Sequence, residues 1–343
     1  MTEDLQLRIE GHAGRITLNR PQALNALTYD QANRIEAQLI AWRDDPAVKL
    51  VLIDAVGERA FCAGGDIQDL YARGRAGDFA FGRRFWADEY RLNALIWNYP
   101  KPYVAIMHGF VMGGGVGISA LGSHRIVTDS TQVAMPECGI GLIPDVGGTL
   151  LLSCAPGRLG EYLGITGARM GAADAILATF ADAYVPEDRL EALKTALSEG
   201  DVGVIEDFNA DPPEGALAAQ QAKIDQHFNG ADAVDIARSL AFADGEWEAK
   251  TLKALRRSSP LSVACAVEAI HRARGFKTIE QALALEYRFS WRCMEEGEFL
   301  EGVRAAVIDK DRSPMWSPAR LEDLTQARVA QMLQPLGAQE LRL

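Results

Sequence analysis

At 343 residues the chain is long enough to bury a full hydrophobic core, and its length suggests two domains or one domain with a large appendage, which excludes a small stapled scaffold. Apolar residues make up 48% and charged residues 24%, the mixture of a folded globular protein and not of a disordered or fibrous one. Lys plus Arg number 35 against 47 for Asp plus Glu, so the net charge of -12 opposes a nucleic acid partner, and a polyanionic ligand would need local cations or backbone N–H donors.

In chain order, short β-branched runs at 15–18, 50–54, 103–108, 125–128 and 132–135 predict strands. Between the first two, Ala32, Ile35, Leu39 and Trp42 recur at helical spacing behind a Thr28 cap, which predicts a strand, helix, strand unit. A second helix is expected over 81–98, with Phe85, Leu92, Leu95 and Ile96 on its apolar face and Pro100 and Pro102 as its stop. Turns this small cannot bury their apolar faces alone, so an α/β coil of stacked β-β-α turns is expected in place of a simple doubly wound sheet. The stretch 201–230, with its DFNADPPEG run, reads as a linker or exposed connection. Beyond it 232–243, 246–256, 259–274, 278–294 and 317–333 read as helices. The expected division is therefore a core over 1–200, a connection over 201–230 and a helical C-terminal subdomain over 231–343.

The five cysteines, Cys62, Cys138, Cys154, Cys265 and Cys293, are odd in number and scattered, which fits a reducing compartment and gives no metal-ligand spacing. The opening MTEDLQLRIEGHAG has acidic residues and no apolar h-region, and no stretch approaches the ~18 apolar residues of a membrane span. A cytoplasmic protein with no membrane partner, no metal and no separate cofactor is expected. His108 ends an apolar strand as a hydrogen-bonded structural residue, Cys138 reads as a packed thiol, and His124 has no obvious partner in sequence.

Three glycine-centred segments each follow a predicted strand: FCAGGDI over 61–67, HGFVMGGGVGIS over 108–119 and MPECGIGLIPDVGG over 135–148. Glycine at a strand-to-helix junction lets backbone approach a ligand, and two N–H groups meeting at one point can make an oxyanion hole; the bland alternative is that each glycine only permits a tight turn.

In this order and at these separations, the three segments resemble the signature of the crotonase superfamily over roughly residues 15–185. The resemblance implies that the backbone N–H groups of Gly65 and Gly114 hold the carbonyl oxygen of an acyl-CoA thioester, where charge grows in either enolate formation or tetrahedral addition. It also sets Ala63, Asp66 and Ile67 beside the adenine end of coenzyme A, which is part of the substrate, and makes Arg20 of LNRPQALNAL a candidate for a CoA phosphate. Asp66 has the alternative of capping a helix that begins near Ile67.

Hydratases of the superfamily carry two glutamates, and here the first position is Gly117 while the second is Glu137. A second carboxylate appears instead at Asp145. The string MPECGIGLIPDVGG is similar to the hydroxyisobutyryl-CoA hydrolase branch, in which a Glu and an Asp at this spacing serve hydrolysis. The resemblance thus implies that Glu137 attacks the thioester or activates a water, with Asp145 orienting the substrate hydroxyl or the water. The alternatives are a solvated carboxylate for Glu137 and a helix N-cap for Asp145. FWADEYRLNALI is similar to the branch's substrate-contacting helix and makes Glu89 a substrate-binding residue; the alternative is a surface pair with Arg91 or Lys101.

EYRFSWRCM over 286–294 and EGVRAAVIDKDRSPMWSP over 301–318 extend the resemblance nearly to the C-terminus. Leu121, where the branch usually shows a histidine, departs from it and bears on acyl-group preference. The expected activity is hydrolysis of a short 3-hydroxyacyl-CoA, with (S)-3-hydroxyisobutyryl-CoA ahead of 3-hydroxypropionyl-CoA. The rivals are a lyase or isomerase of the superfamily and a silent acyl-CoA-binding protein. A homo-oligomer is open, since the superfamily often forms trimers or their dimers and the C-terminal helices offer a cap instead.

Overall fold

The structure, a computed structural model, describes residues 3–343. It opens with a hairpin that the sequence reading lacked, β1 (Leu5–Glu10) against β2 (Ala13–Leu18), turning at Gly11 with φ 57°. Helix α1 (Tyr29–Arg43) is fixed by a reciprocal cap. The Thr28 side chain accepts from the Gln31 amide and the Gln31 side chain accepts from the Thr28 amide, while Ala32, Ile35, Leu39 and Trp42 share the buried face. The chain then runs into β3 (Leu50–Ala55), parallel to β2 with Ile16 opposite Ile53, which completes the expected strand, helix, strand unit.

From there the pattern repeats. β4 (Ala60–Cys62) follows β3 and leads to helices α2 (Gln68–Arg75) and α3 (Phe79–Trp97); β5 (Tyr103–Met107) is followed by β6 (Phe110–Met112) and the short α4 (Gly114–Gly117). β7 (His124–Val127) is followed by β8 (Gln132–Ala134), and later by β9 (Ala183–Tyr184). The first strand of each turn joins a six-stranded sheet, β1-β2-β3-β5-β7-β9, and the second joins a three-stranded parallel sheet, β4-β6-β8. This is the coil of stacked β-β-α turns. Its parallel strands β3 and β5 are buried along nearly their whole length, as parallel sheets covered on both faces require.

Two compact units emerge, each assembled from separate stretches. One holds the chain up to Asp66 with Arg91–Ala134 and Arg169–Ala218; the other holds Ile67–Tyr90, Met135–Ala168 and Ala219–Leu343. This division differs from the expected 1–200, 201–230 and 231–343. In the first unit, Leu50, Leu52, Val104, Ile106, Ile126 and Val185 form a core with Leu193, Leu197 and Ile205. The expected connection 201–230 therefore carries structure: Ile205–Phe208 is helical and Ile205 joins that core, and Leu217–His227 is a second helix. The Pro- and Gly-containing run between those helices is loop, as are the short flanks 201–204 and 228–230.

In the second unit α5 (Gly148–Cys154) packs with the helices Leu159–Thr166 and Pro260–Ala273. Pro260 stands in the first turn of its helix and Ser259 caps it by accepting from the Ser262 amide. The helix expected over 317–333 is shorter, Gln326–Leu333, because Thr325 supplies the cap and Ser317, Pro318 and Arg320 before it do not continue a helical turn. The EGVRAAVIDKD motif closes a loop by charge: Arg304 bridges Glu301 at 2.8 Å and Asp309 and Asp311 at 2.7 Å each. Among the described residues no helix is long and apolar enough to cross a membrane.

Candidate active site

The first two glycine segments, apart from Ile67, lie in the first unit and run side by side because β4 pairs with β6. At their ends the backbones come close: a Cβ at Gly115 would stand 2.4 Å from the Cys62 carbonyl oxygen, so only glycine fits there. Leu27 bridges Gly65 in parallel fashion, its N–H donating to Gly64 O and its carbonyl accepting from Asp66 N–H, which turns the Gly65 N–H to the opposite side. Gly114 is the first residue of α4, where an N–H has no intrahelical acceptor. Both amides are thus left by local structure as donors of the kind an oxyanion hole uses. Arg20 and Asp66 pair with each other at 3.2 Å, and Arg20 also donates to the Ala26 carbonyl. Asp66 does not cap α2, whose N-cap is Ile67 with no side-chain bond, and Ala63 donates its amide to Leu24 O.

The carboxylates all lie in the second unit. Glu137 opens the 3-10 turn Glu137–Ile140, Asp145 precedes α5, and Glu89 and its neighbour Tyr90 sit on α3. The exposures of Glu89, Glu137 and Asp145 are 5%, 4% and 4%, so the surface-paired alternative fails for Glu89 and the solvated one for Glu137. Arg91 instead pairs with Glu36, and Lys101 donates to the carbonyls of Trp42 and Asp45. The N-cap of α5 is Gly147, and the Asp145 side chain accepts a 2.8 Å hydrogen bond from the Tyr90 hydroxyl, so the capping alternative for Asp145 fails as well.

A fourth carboxylate, Glu286, completes the group. It is fully buried in the helix Ile279–Cys293 and accepts from Gly147 N at 2.8 Å, from Thr149 N at 2.9 Å and from the Thr149 hydroxyl. Burial pushes all four carboxyls up. The charge of Asp145 adds to the effect at Glu89, and the charges of Asp145, Glu286 and Glu89 add to it at Glu137. Burial raises Asp145 against the opposing Tyr90 bond, and raises Glu286 to about 7 against its bonds from Thr149 and Gly147. Glu137 Oε2 is buried with no hydrogen-bond partner among the described residues. Buried acids whose pKa values rise toward neutrality, one with an unpaired oxygen, are suited to proton transfer or nucleophilic attack near pH 7.

The model of the family described as enoyl-CoA hydratase/isomerase matches residues 13–333. The chain belongs to this family. Members similar to it along their length include the mitochondrial 3-hydroxyisobutyryl-CoA hydrolase of Gallus gallus, 37% identical over 352 residues with 99% of this chain and 91% of that protein covered. The Homo sapiens protein of the same name is 36% identical with the same coverage. Among solved structures, an enoyl-CoA hydratase from Rhodobacter sphaeroides 2.4.1 is 51% identical with a TM-score of 0.97, covering 99% of this chain and 100% of the other. A carnitinyl-CoA dehydratase from Mycobacterium thermoresistibile is 42% identical with a TM-score of 0.94 and 99% of each chain covered. The resemblance seen in the glycine segments, and its extension toward the C-terminus, is borne out.

Within this family chain, sequence reasoning named Glu89, Glu137 and Asp145 and missed Tyr90, Thr149 and Glu286. Glu286 did leave a signal: it shares a helix face with Ala282, Leu283, Phe289, Ser290 and Cys293, all buried, and a carboxylate on an apolar stripe asks for a partner. His108 and Cys138 are structural as expected, with His108 Nε2 2.6 Å from Gly57 O and the buried Cys138 thiol 3.4 Å from Gly164 O. His124, expected without a partner, has one next to it, the Ser123 hydroxyl at 2.9 Å from Nδ1. Leu121 is buried.

Proposed function

We propose that the chain hydrolyses the thioester of a short 3-hydroxyacyl-CoA, with 3-hydroxyisobutyryl-CoA as the first candidate. The observation that carries the reading is the pair Glu137 and Asp145, buried together in one unit with both carboxyls raised, while Gly117 leaves the other hydratase position without a side chain. The names of the relatives at 36–38% identity support the same reaction and substrate.

In this scheme the Gly65 and Gly114 amides take the negative charge that grows on the thioester oxygen, and Glu89 meets the acyl group. Glu137 acts by one of two routes. It adds to the carbonyl carbon, the C–S bond breaks, the CoA thiolate leaves and takes a proton, and water opens the resulting anhydride; or it removes a proton from a water that adds directly. Asp145 orients the substrate hydroxyl or that water. A carboxyl with a raised pKa is the better base and nucleophile for either route. The acyl group itself differs by one methyl between the two candidates, worth only ~1–3 kcal/mol of discrimination.

A second reading, addition of water to an enoyl-CoA or its reverse, is favoured by the names of the two solved relatives at 51% and 42% identity, a hydratase and a dehydratase. One assay separates them. Free thiol is followed with 3-hydroxyisobutyryl-, 3-hydroxypropionyl- and crotonyl-CoA for wild type, Glu137→Gln and Asp145→Asn. Hydrolysis predicts thiol release that falls at least ~100-fold in both variants. Hydrated crotonyl-CoA without free thiol would establish the lyase, and ester binding with neither product would establish a silent binder.

A further inference from the structure

The proposed chemistry uses Glu137 and Asp145 and leaves Glu286 without a task, although it is the most buried of the four acids. Its surroundings define one. Asp145, Val146, Gly147 and Gly148 form a tight turn in which Gly148 N donates to Asp145 O at 2.7 Å. Both central residues are left-handed, Gly147 at φ 85° and Val146 at φ 53°. Glycine adopts that region freely, but a β-branched valine there is an outlier that persists only when the surroundings over-determine it. Glu286 does so by accepting the Gly147 amide on one oxygen and the Thr149 amide and hydroxyl on the other. Among the described residues no cation pairs with it, so its hydrogen bonds to the turn are what compensate the buried charge.

We propose that Glu286 is a positioning residue: its carboxylate pins the left-handed turn Asp145–Gly148 through the Gly147 amide and Thr149, and so fixes where the Asp145 side chain stands for thioester hydrolysis. The titratable groups facing this carboxylate are Asp145, Tyr90 and Glu137, and its negative charge raises the last two. On its own helix Arg288 is held by Glu340, and Arg292 donates to the Met332 and Gln334 carbonyls. Glu286→Gln therefore has two effects. Its amide group presents a donor where the turn needs an acceptor, which releases the turn, and the loss of charge lets Glu137 ionise at lower pH.

The activity part of this inference rests on the hydrolase reading, and the structural part does not. In the thiol-release assay, Glu286→Gln is expected to lower kcat about 100-fold with KM little changed, as for a misplaced reactive group, and to move the acidic limb of the kcat/KM profile to lower pH. A merely structural role would leave that limb in place. Thr149→Val, which keeps the amide but loses the hydroxyl, is expected to lower kcat about tenfold, with Thr149→Ser restoring it. That pair decides the matter if Glu286→Gln does not fold. A crystal structure of Glu286→Gln is expected to show Val146 leaving positive φ and the Asp145 carboxylate displaced. A variant with wild-type kcat and limb, or a turn that superposes on wild type, overturns the proposal while the hydrolase reading stands. Wild type that releases no thiol from any ester overturns that reading, and the crystal structure then decides this one alone.

Discussion

The Tyr90 hydroxyl donates to Asp145 Oδ2 across 2.8 Å inside the second unit, and Tyr90 itself is fully buried. This is the bond that opposes the upward pull of burial on Asp145. Tyr90→Phe removes the donor and leaves the ring packing, including the edge-to-face contact with Tyr287 at 6.2 Å. The carboxylate form of Asp145 is then less favoured. The acidic limb of the pH profile for thiol release is expected to move up, with a loss of about tenfold at neutral pH, the worth of one charge-assisted bond. An unmoved limb would mean that Asp145 is not the group that must ionise.

The raised carboxyls also govern stability. An acid whose folded pKa lies above its unfolded value binds its proton more tightly when folded. Its contribution is full below the unfolded pKa near 4.5 and is lost as pH rises through the folded value. Glu89, raised by burial and by Asp145, is such a group. Glu89→Gln mimics the protonated form, so its stability relative to wild type is expected to increase between pH 5 and pH 8, by up to ~1.4 kcal/mol per pH unit. His108, which burial pulls the other way, titrates in both proteins and cancels in the difference. Urea denaturation at several pH values measures it, and a constant difference across the range would show that Glu89 carries no raised pKa.

How much of this was legible depended on the distance over which a signal acts. The Thr28–Gln31 cap and the apolar face of α1 are encoded within sixteen neighbouring residues, and the helix was found with its ends. Glu137 and Asp145 were legible because their turns lie in one short string, so a family likeness could carry both. The three-residue strands β4, β6 and β8 are too short for alternation to show, and only β8 was anticipated. Glu286 escaped because its partner Gly147 is 139 residues away, a pairing that no local pattern encodes. The bland alternatives failed for the same reason: Tyr90, which occupies Asp145, lies 55 residues from it.

Glu161 is the mirror of the acidic cluster. It too is fully buried, and burial acts to raise it, but the His271 ring, Arg274 and Arg158 outweigh that and hold it down at about 2. Arg274 reaches it at 2.8 Å and Arg158 at 2.9 Å. A depressed carboxyl contributes stability that is present above its unfolded pKa and is lost as pH falls toward its folded one. Glu161→Gln leaves two guanidiniums without their counter-charge. It is expected to cost ~1–3 kcal/mol at pH 7, less than a fully buried pair would because both arginines are about a third exposed. The variant is also expected to lose less stability than wild type between pH 4.5 and pH 3. Equal acid sensitivity in thermal melts of the two proteins would rule out this role.

The turn that carries Glu137 is held from behind by backbone, and here a single methyl group tests the fit. A Cβ on Gly302, in the EGVRA segment, would stand 2.2 Å from the Ile140 carbonyl carbon and oxygen, and one on Gly141, at φ 76°, would stand 2.4 Å from Glu298 O. Backbone cannot rotate away as a side chain can, so Gly302→Ala must push the Phe299–Val303 helix off the Glu137–Ile140 turn. The alanine gains up to ~1 kcal/mol of helix propensity, but the clash is expected to cost more, for a net loss of ~1–3 kcal/mol. A shift of Glu137 by even about 1 Å would lower thiol release by about 100-fold. Gly139 lies in the same turn and is the control, since a Cβ there meets nothing within 4 Å. Gly139→Ala is expected to match wild type in both melting temperature and rate. If Gly302→Ala behaves as Gly139→Ala does, the close packing of the two backbones does not set the position of Glu137.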